Sequence, residues 1–497
     1  MRLLGFFLTL TFSLLMSLAH SSRQPSYGST STVTQKRIKR TDSPASEQDF
    51  LVRVSTPDGS KPPVESIDGR IQCMNFLLGT SILLTFHASM TASPFFLERL
   101  EGSRLQAPFV SYLSITYTAT TLLFLSHATV TVKETSASRR LCHSLGVLAA
   151  INLLLCFSPS IPLSPTAFFF FVLINVAFQA VGVAYLRTAV VSFASAFGPS
   201  AMKAVMSGEA VVGAVVGIVQ FTTAAAAEYS GRTEIGKGTE AAASLSFAFS
   251  AVVVACALGA HTWMLGMPSY RAVVQELDAV KPAVEDGTSE TDVPAEYHTP
   301  ARREIIEIAG ANWKCNVAIC YDALITLALF PPITSAIRSV HPISSGMFFS
   351  PAIFNYFHFL VMGVFDFIGR FFCSRPSVVT WSHTNLLKIS LARTAFVPLF
   401  LLCNIQRPGV DIHHTTPLIN SDVAYLLLVA AFGLSHGYLT SLCMMAASSV
   451  KHNPRIRADQ ANPAATIAQF FMVGGLALGS FSSFGVRAVV CRCNPFN

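Results

Sequence analysis

The chain has 497 residues, 52% of them hydrophobic and only 12% charged, with a mean hydropathy of +0.51. This is too apolar for an ordinary soluble enzyme, and repeated apolar stretches of about 20 residues set the class as an all-α polytopic membrane protein. The formal net charge of +7 sits mostly in tails and loops, where it suits an anionic lipid surface and gives no argument for nucleic-acid binding.

In chain order, residues 1–20 hold a short apolar run, Leu3 to Ala19, behind Arg2 and ending in small residues, which reads as a signal-like or anchor segment. Residues 21–70 are polar and carry the basic run Lys36-Arg37-Ile38-Lys39-Arg40, as expected of a disordered basic cytoplasmic tail. Eleven spans follow, over 71–96, 108–132, 141–162, 166–192, 203–227, 241–266, 314–336, 347–372, 385–405, 422–446 and 463–490. Such segments must be helical, because hydrocarbon offers no partner to a backbone N–H or C=O. A polar insertion at 267–313 divides them six and five, giving an N-terminal half (71–266), a central cytoplasmic loop and a C-terminal half (314–491).

Lys/Arg bias orients the bundle. With the tail in the cytosol, Lys133, Arg139, Arg140, Arg271, Lys281, Arg302, Arg303, Arg375, Lys451, Arg455 and Arg457 lie inside, against a sparser set outside. The amino terminus is therefore expected inside and the carboxy terminus outside. Pro94, Pro331-Pro332, Pro351, Pro398 and Gly474-Gly475 are expected to interrupt the spans, as backbone lining a cavity or a moving joint does.

Ionisable residues at membrane depth are costly and usually face the bundle interior. His87, Arg187, Glu209, Asp322, Asp366, Arg370 and His436 qualify. Asp366 and Arg370 are four apart and share a helix face, so they pair either to hold the helix or to offer a polyhydroxyl ligand an acceptor and a donor. Asp322 stands alone on its span; it and Glu209 are candidate proton sites, with Glu209 alternatively at the interface. His87 and His436 read either as satisfied core residues or as site residues.

Six cysteines (Cys73, Cys156, Cys256, Cys320, Cys403 and Cys443) fall inside spans and behave there as small core residues. No spacing predicts a metal site or a cofactor, and Cys491-Arg492-Cys493 is too isolated for a redox motif. HExxH and P-loop lysine motifs are missing from the sequence, which argues against an enzyme.

Several stretches resemble the equilibrative nucleoside transporter family, in a divergent form nearer its fungal and protist branch. They are Met206-Ser207-Gly208, Phe365-Asp366-Phe367-Ile368-Gly369-Arg370, Leu391-Ala392-Arg393 through Pro398 to Asn404, Gly437 to Met444, and Gly475 to Ser480. The resemblance covers about 70–490. It implies a major-facilitator-like bundle, alternating access, and a site between the halves where Asp366 and Arg370 contact a ribose. Met90 matches an apolar contact near the base.

The departures concern the same site. Thr85-Phe86-His87 stands where the family has Pro-Trp-Asn, Arg187 where it has a base-contacting Gln, Glu209 for a Gln and His436 for an Asn, while Gly363 replaces a common Asn. An Arg facing a base donates but cannot accept, so the expectation is altered selectivity, toward nucleobases or an anionic nucleoside derivative. The reading is a facilitative carrier of nucleosides or nucleobases, working as a monomer in the bilayer of the plasma membrane. Its rivals are a carrier of another, sugar-like metabolite and a receptor-like descendant that has lost transport.

Overall fold

A computed structural model of the protein describes residues 68–106, 109–133, 135–230, 239–279, 299–342, 346–373, 375, 377–405 and 417–491. The leader at 1–20, the tail up to residue 67, the middle of the central loop (280–298) and Arg492-Cys493 lie outside the described residues.

Among the described residues the regular elements are helices, with one isolated bridge between Ile337 and Ile405. The N-terminal half comprises α1 (Gly69–Thr91), α2 (Ser93–Arg99), α3 (Phe109–Val130), α4 (Ala137–Cys156), α5 (Pro165–Phe197), α6 (Pro199–Ser230) and α7 (Thr239–Met264). The central segment contributes α8 (Pro268–Ala279) and α9 (Thr299–Ala311). The C-terminal half comprises α10 (Trp313–Leu329), α11 (Pro351–Phe372), α12 (His383–Ala392), α13 (Phe396–Leu401), α14 (Asp422–Ser448) and α15 (Ala461–Cys491).

Nine described segments are long and apolar enough to cross a membrane. The predicted second span, α3, and the predicted ninth span are not among those nine. The ninth is split into α12 and α13 by a 3-10 turn at Arg393–Ala395, so neither piece reaches spanning length.

Local chemistry sets several helix starts. The hydroxyls of Ser164, Ser350, Ser382 and Ser421 accept from the N–H of Ala167, Ile353, Asn385 and Ala424, respectively. Each cap satisfies an orphan donor and contributes about 1 kcal/mol. Pro165 and Pro351 follow two of these caps, where a missing N–H costs nothing. Of the predicted breaks, Ala92 separates α1 from α2 just before Pro94, and α10 ends at Leu329 before Pro331. Gly474-Gly475 does not interrupt its helix, because α15 runs unbroken from Ala461 to Cys491. Close packing explains the glycine instead: a Cβ on Gly475 would stand 2.1 Å from the carbonyl oxygen of Cys320 on α10.

The halves meet along α6 and α11, with α15 packed on α3 and α5 across the bundle. A Cβ on Gly363 of α11 would lie 2.9 Å from the backbone of Gly213 on α6, so these helices touch nearly backbone to backbone. At the face carrying α8 and α9, one buried cluster draws on both halves and includes Leu141, Met202, Tyr270, Ile319, Leu442 and Met472. At the opposite face the cores are separate. Phe95, Phe109, Phe168 and Phe247 belong to the N-terminal half alone, and Ile333, Phe354, Phe400 and Tyr425 to the C-terminal half alone.

Candidate functional site

The site is built on α5, α6, α10, α11 and α14. On α11, Arg370 Nε and Nη2 each lie 3.3 Å from an oxygen of Asp366 one turn earlier. Both side chains are largely buried, 6% and 14% exposed. The third guanidinium nitrogen, Arg370 Nη1, is buried with no hydrogen-bond partner. A buried unsatisfied donor costs roughly 1–3 kcal/mol, more when charged, and so calls for a ligand or a water. Behind the pair, Gly437 of α14 leaves room for the Asp366 carbonyl and carboxylate, which its Cβ would meet at 2.0 and 2.7 Å.

Facing this from the other half, Arg187 Nη1 on α5 donates to Glu209 Oε1 on α6 at 3.0 Å, with both side chains buried. Two departures that stand separately in the sequence are thus one ion pair. Glu209 is 4% exposed, so its charge is met by Arg187 rather than by solvent.

The third charged group centres on Asp322 of α10, which is fully buried. Far from standing alone, it accepts from Arg393 in the turn between α12 and α13, from His436 Nδ1 at 2.8 Å and from Thr440 Oγ1 at 3.0 Å. Arg393 also donates to Thr326 Oγ1 and to the Phe432 carbonyl. Such a set satisfies the hydrogen-bonding capacity of a buried carboxylate. The groups are close enough to act on one another: Glu209 and Asp322 bear electrostatically on Arg370, and Asp366 on Arg393.

Phe86, His87 and Met90 of α1 lie on the N-terminal side. Phe86 stacks on Tyr117 of α3 with ring centroids 4.1 Å apart. His87 meets Phe86 edge to face at 6.1 Å, and Met90 packs at the margin of the phenylalanine-rich core. Nearby, the Ser89 hydroxyl donates to Gln179 Oε1 at 3.0 Å, and Gln179 Nε2 is buried without a partner.

Sequence reasoning passed over three participants. Arg393 carried a signal, an arginine well inside an apolar span, yet it was absorbed into the ninth-span motif. Tyr117 and Thr440 carry no charge and no depth signal, and only the fold brings them to the site.

As a chemical device this is an interior surface with three matched ion pairs, aromatic faces at one end and spare buried donors at Arg370 and Gln179. It suits a ligand with an apolar, stackable part and a hydroxylated part. Among the described residues no group of three His, Cys, Asp or Glu side chains is arranged to hold a metal ion.

A family model described as "Nucleoside transporter" matches residues 171–488. Equilibrative nucleoside transporter 1 of Homo sapiens is 26% identical over 469 residues, covering 84% of this chain and 96% of that protein. The rat protein of the same name is 25% identical with the same coverage. Human equilibrative nucleoside transporter 4 is 34% identical over 176 residues, 35% of this chain and 28% of that protein. Among solved structures, the major facilitator superfamily transporter FucP in its outward conformation superposes with a TM-score of 0.45 at 15% identity, over 85% of this chain and 93% of that one.

Proposed function

The chain belongs to the nucleoside transporter family, and from that premise we propose a facilitative carrier that takes its substrate between the two halves and releases it by alternating access. Nucleosides are the substrate class; acceptance of free nucleobases is part of the proposal. The protein works as a monomer in the plasma membrane, with the face of α8 and α9 toward the cytosol, in line with the Lys/Arg bias of its loops.

In this reading Asp366 accepts from ribose hydroxyls and Arg370 donates to them. The observation that carries it is the buried, unpartnered Arg370 Nη1, held in place by a carboxylate one turn away. A ribose oxygen completes that donor's hydrogen bonding, and the low surrounding polarity makes a charge-assisted bond worth more than it is in water. Phe86 and Met90 offer apolar contact to the base, with Phe86 held on Tyr117. Because Glu209 already engages one arm of Arg187, the pair reaches the base as a unit in which the arginine donates and the glutamate accepts, a pairing that stands in for two amides. No observation favours a carrier of another metabolite or a descendant without transport.

The test is uptake of radiolabelled uridine, adenosine, hypoxanthine and adenine in cells lacking their own nucleoside carriers. Saturable uptake of a nucleoside is expected, falling at least tenfold in Asp366→Ala at equal surface expression. Loss of one charge-assisted contact (about 1.5–3 kcal/mol) corresponds to that factor or more. Surface-expressed wild-type protein that takes up none of the four overturns the reading. Nucleobase uptake without nucleoside uptake overturns the role given to the ribose.

A further inference from the structure

His436 sits at the middle of α14. That helix presents Val423 and Leu427, 67% and 64% exposed, to its outer surface. At 3.6 residues per turn, His436 points roughly 180° away from Leu427, into the bundle. Its ring is 14% exposed there, whereas its partner Asp322 is not exposed at all.

The hydrogen bonds settle the tautomer. Asp322 Oδ2 lies 2.8 Å from Nδ1, and a carboxylate only accepts, so Nδ1 carries the hydrogen. In the neutral ring the lone pair is then on Nε2. No described residue bonds Nε2, and it is not among the fully buried unsatisfied atoms. One nitrogen is thus fixed by the protein and the other opens on the interior space.

The neighbours set the charge balance. From α10 comes Asp322, matched by Arg393 of the α12–α13 turn. From α11 come Asp366 and Arg370, matched to each other, with the Asp366 backbone lying against Gly437, the next residue after His436. From α6 come Glu209, matched by Arg187, and Lys203 beside Cys373. Lys388 of α12 is exposed, and α15 brings no acidic or basic side chain before Arg487. Within this balanced set, His436 is an ionisable group with a free nitrogen beside the ribose-binding pair.

We propose that His436 is a further substrate-contacting residue whose hydrogen-bonding sense is set by protonation of Nε2. With the ring neutral, Nε2 accepts from a hydroxyl or an N–H; with the ring charged, it donates to a carbonyl or ring nitrogen of the base, or to a ribose oxygen. This rests on the reading of the site given above. Histidine is the side chain type whose charge responds most readily to pH near neutrality, so external pH is the variable that tests the sense of the contact. Binding of an acceptor-rich ligand and binding of a proton at Nε2 then favour each other to the same degree, as linkage requires.

The experiment is uridine uptake by wild type and His436→Asn at external pH 7.5 and 5.5, with KM and maximal rate separated. The wild-type KM is expected to fall at least threefold at the lower pH with little change in maximal rate, and the variant's KM to be flat. A wild-type KM that is flat or rises on acidification overturns the proposal, as does a variant that keeps the wild-type shift. Should the variant fail to reach the membrane, purified wild-type protein decides alone. Uridine binding measured by calorimetry at pH 6.5, in two buffers of different ionisation heat, should show net proton uptake; none overturns the proposal. Absence of any nucleoside uptake at either pH in surface-expressed wild type, by contrast, overturns the transport reading itself.

Discussion

Arg187 and Glu209 are 22 positions apart on two helices, and each alone is an unwelcome charge at membrane depth. Together at 3.0 Å they cancel, and breaking such a buried pair by removing one partner costs about 3–5 kcal/mol because the other charge is left uncompensated. The single substitutions Arg187→Gln and Glu209→Gln are each expected to lower the thermal midpoint of the purified protein markedly. The double substitution is expected to recover most of it, with a coupling of about 1–3 kcal/mol in a double-mutant cycle. Additive losses would remove the pair as a structural unit. The double variant is also expected to change the order of preference among purine and pyrimidine substrates in uptake, since two amides each donate and accept where the ion pair divides those tasks. Asp366 and Arg370 were legible from their i, i+4 spacing, because that geometry is local. The partners of Asp322 stand 71, 114 and 118 positions away, and no local pattern reports them.

At the level of elements, hydropathy located nine of the eleven spans and missed their ends. The fourth span was read as 166–192 and the helix α5 is Pro165–Phe197; the fifth as 203–227 against Pro199–Ser230. Hydropathy senses only the apolar middle, whereas a helix continues through the interface until a cap or a turn stops it. The start of the eighth span moves from 347 to Pro351 because Ser350 caps there, a signal of one residue that an apolar window averages away. The split ninth span has a tertiary cause: Arg393, at the turn, is drawn into Asp322, Ser435 and the Phe432 carbonyl. Arg393→Met is accordingly expected to cost about 3–5 kcal/mol, because Asp322 would stay buried and charged. The check is the melting midpoint in detergent against Asp322→Asn/Arg393→Met, in which both charges are gone and most of the loss should return. A single variant as stable as wild type would show that the pair holds nothing together.

Across the whole molecule, the shared core at the face of α8 and α9 and the divided cores opposite describe one arrangement of two halves. The long polar insertion that interrupts the apolar rhythm is what suggests two halves in the sequence. The close approach of α6 and α11 was not legible there, because what permits it is the lack of side chains at Gly217 and Gly363, and a missing side chain leaves no hydropathy signal. Gly363→Leu is expected to abolish uptake, and Gly363→Ala to reduce it by about tenfold, since even one methyl group meets backbone at 2.9 Å. Surface labelling beside the uptake assay separates a jammed carrier from an absent one. Full activity of the leucine variant would place the contact between the halves elsewhere.

The bare seam between α6 and α11 acts as a fulcrum. A see-saw pivots most freely where its beam touches the support over the smallest, smoothest area, and two glycine backbones in contact have no knobs to unlock and no rotamers to rearrange. The apolar cluster shared by both halves at one face then serves as the latch, and the weight of a bound ligand near the pivot needs only to shift the balance between latching at one end and latching at the other.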